Sequence, residues 1–451
     1  MAESLSAPVA AIILAAGKGT RMHSSLHKVL HPVGGRPMLL HLLQALAPLG
    51  PARTLVVVGD RAEQLAQTLA GRDTELVIQH PPQGTGHAVL QAARRLPGFE
   101  GNALILFGDV PLVETATMRR LLAALESAAI AVLGFRPDEP GAYGRILADD
   151  HGLIRKMVEA KDATAAELAA PLCNSGLMAV RGPLLQPLLE AIGNDNAAGE
   201  YYLPDIVMAA TAAGHRAVVL EAGADEVAGV NSRAELAGAE ARFQRGMRQK
   251  MLDSGVTLVA PETVFFAADT RIGADTVVEP YVQFGPGVEI DGGAVIRSFS
   301  HLEGAKVASG CEVGPYARLR PGTLLREGAK IGNFVETKQA VLGPGTKANH
   351  LTYLGDAEIG ARANIGAGTI TCNYDGFGKY RTIIGDGAFI GSNSSLVAPV
   401  SIGARAIVGA GSTVSGSIEA DALVLTRAPA NVKSGWAARF RAKMQDMKGK
   451  R

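Results

Sequence analysis

Residues 384–414 read "IGDGAFIGSNSSLVAPVSIGARAIVGAGSTV", and an aliphatic side chain returns there every six positions: Ile384, Ile390, Leu396, Ile402, Val408 and Val414. A helix buries side chains at a period near 3.6 and a single strand at a period near 2, so a period of six fits neither. It fits a solenoid with three short strands per coil, where one inward aliphatic per side stacks on the coil above. The spacing continues upstream through Ile359, Ile365 and Thr371, then Leu342, Ala348 and Leu354. Val307, Val313, Leu319, Leu325 and Ile331 keep it, and beyond a one-residue slip so do Ile272, Val278, Phe284, Ile290, Ile296 and Leu302. Between Thr371 and Ile384 the stretch "CNYDGFGKYRT" breaks the period. An insertion that breaks a repeat usually carries function on the solenoid surface.

The chain before this repeat has a different grammar. Up to about residue 230, short apolar runs alternate with helical patterns: "VAAIILAA", "TLVVVGD", "ELVIQ", "NALILFGD" and "AAIAVLGF" read as strands. "PMLLHLLQALAPLG", closed by Gly50, and "RAEQLAQTLAG" read as helices. The alternation predicts an α/β domain with a mostly parallel sheet covered on both faces, and ligands beyond the carboxyl ends of its strands. Residues 231–252 read as a connecting helix, opening with Ser232 and Glu235 at capping-box spacing and carrying Leu236, Phe243 and Met247 as one apolar stripe. The expected domains are therefore 1–230, a linker helix 231–252, and a solenoid domain 253–451. Past Asn431, Trp436, Phe440 and Met444 fall at helical spacing before the basic "KGKR", which predicts a short docked helix with a solvated tail.

Composition narrows the function classes. The 451 residues are 47% hydrophobic and 19% charged with a net charge of +1, so no basic field points to nucleic acid. Glycine is frequent, at 54, and aromatics make up 5%, as a turn-rich repeat requires. Cys173, Cys311 and Cys372 lack metal or redox spacing, and three cannot all pair, which suits a reducing compartment. The apolar run Val9–Ala16 follows Glu3 rather than a basic residue and is too short to span a bilayer, so it is a poor signal peptide. A soluble cytoplasmic protein without membrane partners is expected.

Three strand-to-turn junctions in the first half carry chemistry. "LAAGKGTRM" lacks the third glycine of a dinucleotide loop, Met22 standing in its place, and it lacks the Walker pattern. Gly17 and Gly19 let backbone N–H groups approach a polyphosphate, and Lys18, Arg21 and Lys28 add positive charge. In "FGDVPL", Asp109 ends a strand where a carboxylate can hold Mg²⁺ against phosphate oxygens. "QGTGHA" offers Gly84, Thr85 and Gly86 to lie against a base, with Gln79 to hydrogen-bond it. Glu159 and Asn174 sit in further polar islands and can reach sugar hydroxyls. Singly, each of these is as readily a structural turn residue.

Taken in order, "LAAGKGTRM", "QGTG", "GDVPL", "VEAKDA", "NSG" and "GVNSRAEL" resemble the sugar-1-phosphate nucleotidyltransferases, and "I-G-x-x-x-x" resembles the hexapeptide repeat of left-handed parallel β-helices. The whole chain, from about residue 8 to 436, resembles the bacterial bifunctional N-acetylglucosamine-1-phosphate uridylyltransferase/glucosamine-1-phosphate acetyltransferases. That resemblance implies an α/β Rossmann-like nucleotidyltransferase domain followed by a left-handed parallel β-helix, assembled as a homotrimer. It implies Mg²⁺ as cofactor and UTP, acetyl-CoA and the sugar phosphates as substrates. Leu14, Ala15, Ala16, Gly17, Gln79, Gly84, Thr85, Phe107 and Gly108 would line the uridylyl site. Gly144, Glu159 and Asn174 would seat the sugar. Arg21 and Lys28 would hold the phosphates, and Asp109 and Asn231 the metal.

In the solenoid the resemblance makes His350 the general base and Glu336 its orienting partner; an imidazole suits proton removal from an ammonium near neutral pH. Arg320, Lys338, Tyr353 and Asn364 would bind glucosamine-1-phosphate. Ala367, Asn373, Tyr374, Ser392, Ala410 and Arg427 would face acetyl-CoA, with Ser392 a donor to the oxyanion. Two positions depart from the family. His27 replaces a common proline, which is expected to loosen the loop, and Phe107 replaces a common tyrosine, which removes a hydroxyl. Three rival readings are weaker. A purely regulatory solenoid leaves His350 and the insertion unexplained. A zinc hydratase on the same solenoid needs three histidines, and only His301 and His350 follow residue 230. A non-enzymatic scaffold leaves the phosphate-binding residues without a role.

Overall fold

The computed structural model describes residues 7–449, so Glu3 and the Lys450–Arg451 end of the basic tail lie outside the described residues. The chain divides into two compact units, Met1–Met247 and Arg248–Arg451, with the division inside the helix Arg233–Asp253.

The first unit is built on the strand Val9–Ala15, in which every residue is buried. Ile12 pairs in parallel with Leu55 on one side and Ile105 on the other, so the strand lies in the middle of the sheet. Its alternation serves two cores. Ala11, Ile13 and Ala15 pack with Leu39 and Leu42, while Ile12 and Leu14 pack with Val89 and Ala92. A strand covered on both faces needs an unbroken apolar run, as "VAAIILA" provides. The strands Arg53–Val58, Glu75–Ile78, Asn102–Phe107, Ile130–Phe135 and Ala217–Glu221 extend this sheet in parallel pairings. Cys173–Arg181 runs antiparallel between Asn102–Phe107 and Ile130–Phe135. The helix Met38–Leu46 ends in a turn closed by Gly50 at φ 58°, as the sequence indicated.

The capping box of the long helix is formed: Ser232 Oγ accepts from Glu235 N at 3.2 Å, and the Glu235 carboxylate accepts from Asn231 N and Ser232 N. Leu236 and Phe243 pack against Val33, Met38 and Val230, so the first part of this helix belongs to the core of the first unit.

The second unit is a three-sided parallel solenoid. On one side Val278, Ile296, Val313, Ile331, Ala348, Ile365, Ile390 and Val408 stack coil upon coil in register. A second side stacks Ile272, Ile290, Val307, Leu325, Leu342, Ile359, Ile384 and Ile402. Thr337 holds an inward place in the third side, between Leu319 and Leu354. It is fully buried, and its hydroxyl meets that of Thr323 at 2.9 Å. The insertion folds back through a bridge between Tyr374 and Lys379, with Phe377 99% exposed at its tip.

The C-terminal helix Trp436–Gly449 forms, and Trp436 stacks on Phe440. The expected docking is not seen, because no described residue of this helix is buried. Its apolar stripe has a helical period but no core beneath it. No described helix is long and apolar enough to cross a membrane.

Candidate active sites

Beyond the carboxyl end of Val9–Ala15 lies a cavity of about 620 Å³. Leu14, Ala15, Ala16, Gly17 and Lys18 form its floor, Gln79, Gly84 and Thr85 one wall, and Phe107, Lys28, Asp109 and Asn231 the other. Gly19 is at φ 60°, and a Cβ there would lie 2.8 Å from Lys28 Cβ, so this glycine both turns the chain and admits Lys28. Gly84, at φ 104°, opens the helix Thr85–Ala93 where a Cβ would lie 2.6 Å from Tyr201 O.

The charged corner has a local cause. The Asp109 carbonyl accepts from Val230 N at 2.9 Å, which sets Asn231 beside Asp109. Lys28 Nζ then bridges the two, bonding the Asp109 carboxylate and Asn231 Oδ1 (3.0 Å). Two hard oxygen donors thus converge on one cation, the chemistry that suits Mg²⁺ when phosphate oxygens complete the shell. No described cluster of three or more His, Cys, Asp or Glu side chains forms a complete metal cage.

Gly144, Glu159 and Asn174 form a second group. Asn174 N donates to Gly144 O at 2.9 Å, and Glu159 Oε2 lies 3.5 Å from where a Gly144 Cβ would stand. Asn174 Oδ1 accepts from Gly176 N, and Gly176 at φ 86° packs against the Phe107 ring, which links this group to the cavity wall. Burial, then the charges of Asp205 and Asp162, push the Glu159 carboxyl above its ordinary 4.5.

Two expectations change in this unit. Arg21 lies on the turn Thr20–Met22 with its side chain exposed, and it does not line the cavity; Met22 is the residue that the turn buries. The basic groups of the cavity are Lys18 and Lys28. His27 does not loosen the loop. It is 4% exposed, has proline-like φ −58° and ψ 139°, and its N–H, which proline lacks, donates to Gln64 Oε1 at 2.7 Å. Burial pushes its imidazole pKa down. Glu200, which also lines the cavity, gives no signal in the sequence. It comes from a loop held over the glycine turn by Gly86 N to Tyr201 O and Tyr201 N to Gln83 O.

In the solenoid, parallel register stacks His350 on Asn333, and His350 Nδ1 meets Asn333 Oδ1 at 2.6 Å. The Glu336 carboxylate instead accepts from Arg320 Nη1 at 2.8 Å and stacks on Tyr353. The implied His350–Glu336 pair is therefore replaced by His350–Asn333, because position 333, not 336, lies one coil below the histidine. Lys338 pairs in register with Gly355, where a Cβ would strike Tyr353 Oη and, at 2.8 Å, Asn373 Nδ2. The missing side chain leaves room there for Tyr353 and Asn373, whose Nδ2 donates to the Asp356 carboxylate at 2.5 Å. Lys379, from the insertion, and then Arg320 push the Lys338 ammonium below its ordinary 10.5. Three cations thus crowd one spot, and the sequence reading had only two of them. Tyr374 is exposed and donates its hydroxyl to Gly376 O. Asn364 lies on the strand pair of Lys347.

Ala367, Ser392, Ala410 and Arg427 follow one corner of successive coils. Ala367 O accepts from Asn393 N, Ser392 O from Gly411 N, and Ala410 O from Arg427 Nη1.

A cavity of this kind at the strand ends of an α/β sheet, joined to a hexapeptide solenoid, defines a nucleotidyltransferase class, and two family models agree. Residues 11–198 match the MobA-like NTP transferase domain, and residues 381–416 match the bacterial transferase hexapeptide (six repeats). The solenoid is the left-handed β-helix of that repeat.

Full-length relatives narrow the class. "Bifunctional protein GlmU" of Rhizorhabdus wittichii is 62% identical over 447 residues, 98% of this chain and 99% of its own length. Those of Sphingopyxis alaskensis and Zymomonas mobilis are 58% and 53% identical, covering 98% and 96% of this chain and 98% of their own lengths. The chain belongs to the GlmU family of bifunctional uridylyltransferase–acetyltransferases.

Proposed function

We propose that the two sites catalyse consecutive transfers: acetyl from acetyl-CoA to glucosamine-1-phosphate, then uridylyl from UTP to the N-acetylglucosamine-1-phosphate so formed. The observation that carries the first step is the grouping of Arg320 and Lys379 around Lys338, which pairs in register with the Gly355 that Tyr353 and Asn373 flank; clustered cations suit a sugar phosphate. His350, oriented by Asn333, takes a proton from the substrate ammonium. His350 passes that proton to solvent, and the free amine attacks the thioester carbon while Ser392 donates to the oxyanion. His350 then takes the second proton from the nitrogen of the tetrahedral intermediate, and the C–S bond breaks as that proton passes to the CoA sulfur. A homotrimer would complete this site between solenoids.

In the first unit, Gln79, Gly84 and Thr85 hold the base, and Gly144, Glu159 and Asn174 the sugar. The sugar phosphate oxygen attacks the α-phosphorus in line and pyrophosphate departs, with Lys28 offsetting the charge it carries. Asp109 and Asn231 would hold Mg²⁺, which neutralises phosphate charge when bound. Incubating the protein with glucosamine-1-phosphate, acetyl-CoA, UTP and Mg²⁺ is expected to give UDP-N-acetylglucosamine, free CoA and pyrophosphate. Pyrophosphate from supplied N-acetylglucosamine-1-phosphate, with no CoA release from glucosamine-1-phosphate, would overturn the acetyl-transfer half.

A further inference from the structure

Gln79, on the wall of the cavity in the first unit, is 5% exposed, and its amide is held by a histidine on the helix Thr85–Ala93. Gln79 Nε2 donates to Gly84 O at 3.0 Å. A carbonyl oxygen can only accept, so this bond fixes which end of the amide is nitrogen. The same Nε2 meets His87 Nδ1 at 3.1 Å. His87 Nδ1 therefore has to be the acceptor, and the proton of the neutral ring sits on Nε2. That nitrogen stands 2.9 Å from the Gln91 amide nitrogen, one turn along the same helix. Two N–H groups cannot share one bond, so the Gln91 amide turns its oxygen to the ring. Burial, then Arg94, push the His87 imidazole pKa down, which keeps the ring neutral as this chain of bonds requires. Both hydrogens of the Gln79 amide are then used inside the protein, and only its oxygen is left for a ligand.

We propose that His87 is a positioning residue for the choice of base: by accepting from Gln79, it leaves Gln79 able only to accept from the nucleotide. The inference rests on the proposed placement of the base beside Gln79 and says which base fits there. Uracil offers two carbonyl oxygens and one donor, N3–H, so N3–H is the group that Gln79 Oε1 takes. Cytosine has an unprotonated N3 at that place, and two lone pairs would face each other with no hydrogen between them. A site built to hydrogen-bond its substrate rejects an analogue that leaves its buried polar group unpaired. Without the acceptor at position 87, one Gln79 N–H is released. The amide is then free to turn, and its nitrogen can serve cytosine N3.

Nucleotidyl transfer by the full-length protein, measured with UTP and with CTP, tests it. The wild type is expected to prefer UTP by kcat/KM. His87→Leu, which removes the acceptor, should lower the UTP-to-CTP ratio by about tenfold or more, the effect of one buried hydrogen bond. His87→Asn, whose Oδ1 can stand where Nδ1 stood, should restore it. A merely structural histidine would lower transfer from both nucleotides alike, so an unchanged ratio in folded His87→Leu would overturn the proposal. A ratio that His87→Asn does not restore, or a wild type that uses CTP as well as UTP, would also overturn it. Each of these results leaves uridylyl transfer itself standing. A wild type that uses neither nucleotide overturns the proposed function, and the base choice falls with it. Should His87→Leu fail to fold, nitrogen-15 NMR of the wild-type histidines near neutral pH reads the ring directly, the His87 signals being those lost in His87→Asn. A neutral ring with its proton on Nε2 supports the proposal, and a proton on Nδ1 overturns it.

Discussion

At the scale of single residues, the uridylyl site turns on Lys28. Its ammonium is the cation that Asp109 and Asn231 share, and Lys28→Met is expected to lower uridylyl transfer by about 10²–10³-fold, the usual loss for one charge-stabilising donor. CoA release, assayed in parallel, should not change. For acetyl transfer, His350→Ala is expected to cost about 10²–10⁴-fold. Asn333→Ala should cost less and act on kcat rather than KM, because Asn333 orients the imidazole. Glu159 ties the site to stability. Its carboxyl is raised by burial and by Asp205 and Asp162, so the folded state holds the proton more tightly than the unfolded chain. Stability from this group is full below pH 4.5 and is lost as pH rises through the elevated folded value. Glu159→Gln should flatten that fall in urea titrations across pH while weakening sugar-phosphate binding. The candidate residues were legible from their order along the chain; their partners were not. Arg21 reads as a phosphate ligand because it is basic and follows the glycines; it is exposed on a one-turn 3-10 segment, and Lys18 and Lys28 are the basic residues that line the cavity. Asn333 reads as an ordinary repeat residue until coil register places it under His350.

At the scale of elements, the six-residue period announced the solenoid without any structure. The period fails at Thr337, a buried inward position filled by a hydroxyl that bonds Thr323, whose own hydroxyl donates to Arg320 O. Because Thr323 keeps that carbonyl, Thr337→Val is expected to change stability by less than about 1 kcal/mol, whereas Leu319→Ala should cost about 2–5 kcal/mol. Urea unfolding followed by circular dichroism compares the two. The strands of the first unit were equally legible, since a buried central strand must be an apolar run. The antiparallel strand Cys173–Arg181 was not, because "CNSGLMAVR" combines a polar start with a glycine bulge. The C-terminal helix shows the limit of pattern reading: period foretells a helix, but not what lies beneath its stripe.

At the scale of the whole molecule, two compact units carry two chemistries, one with a cavity of about 620 Å³ and one with a cluster of cations around Lys338. A linker helix was expected over 231–252; the division between the units falls within it, and Leu236 and Phe243 pack its start against the core of the first unit. Hydrophobic period does not say which neighbour a stripe will meet. The central claim is that one chain holds two independent active sites in series. The most direct measurement follows CoA and pyrophosphate release together in Asp109→Asn and His350→Ala, each supplied with glucosamine-1-phosphate, acetyl-CoA, UTP and Mg²⁺, and again with N-acetylglucosamine-1-phosphate. Asp109→Asn should release CoA and no pyrophosphate. His350→Ala should release neither from glucosamine-1-phosphate, yet release pyrophosphate at the wild-type rate once the acetylated sugar is supplied. Loss of both activities in either folded variant would contradict the account.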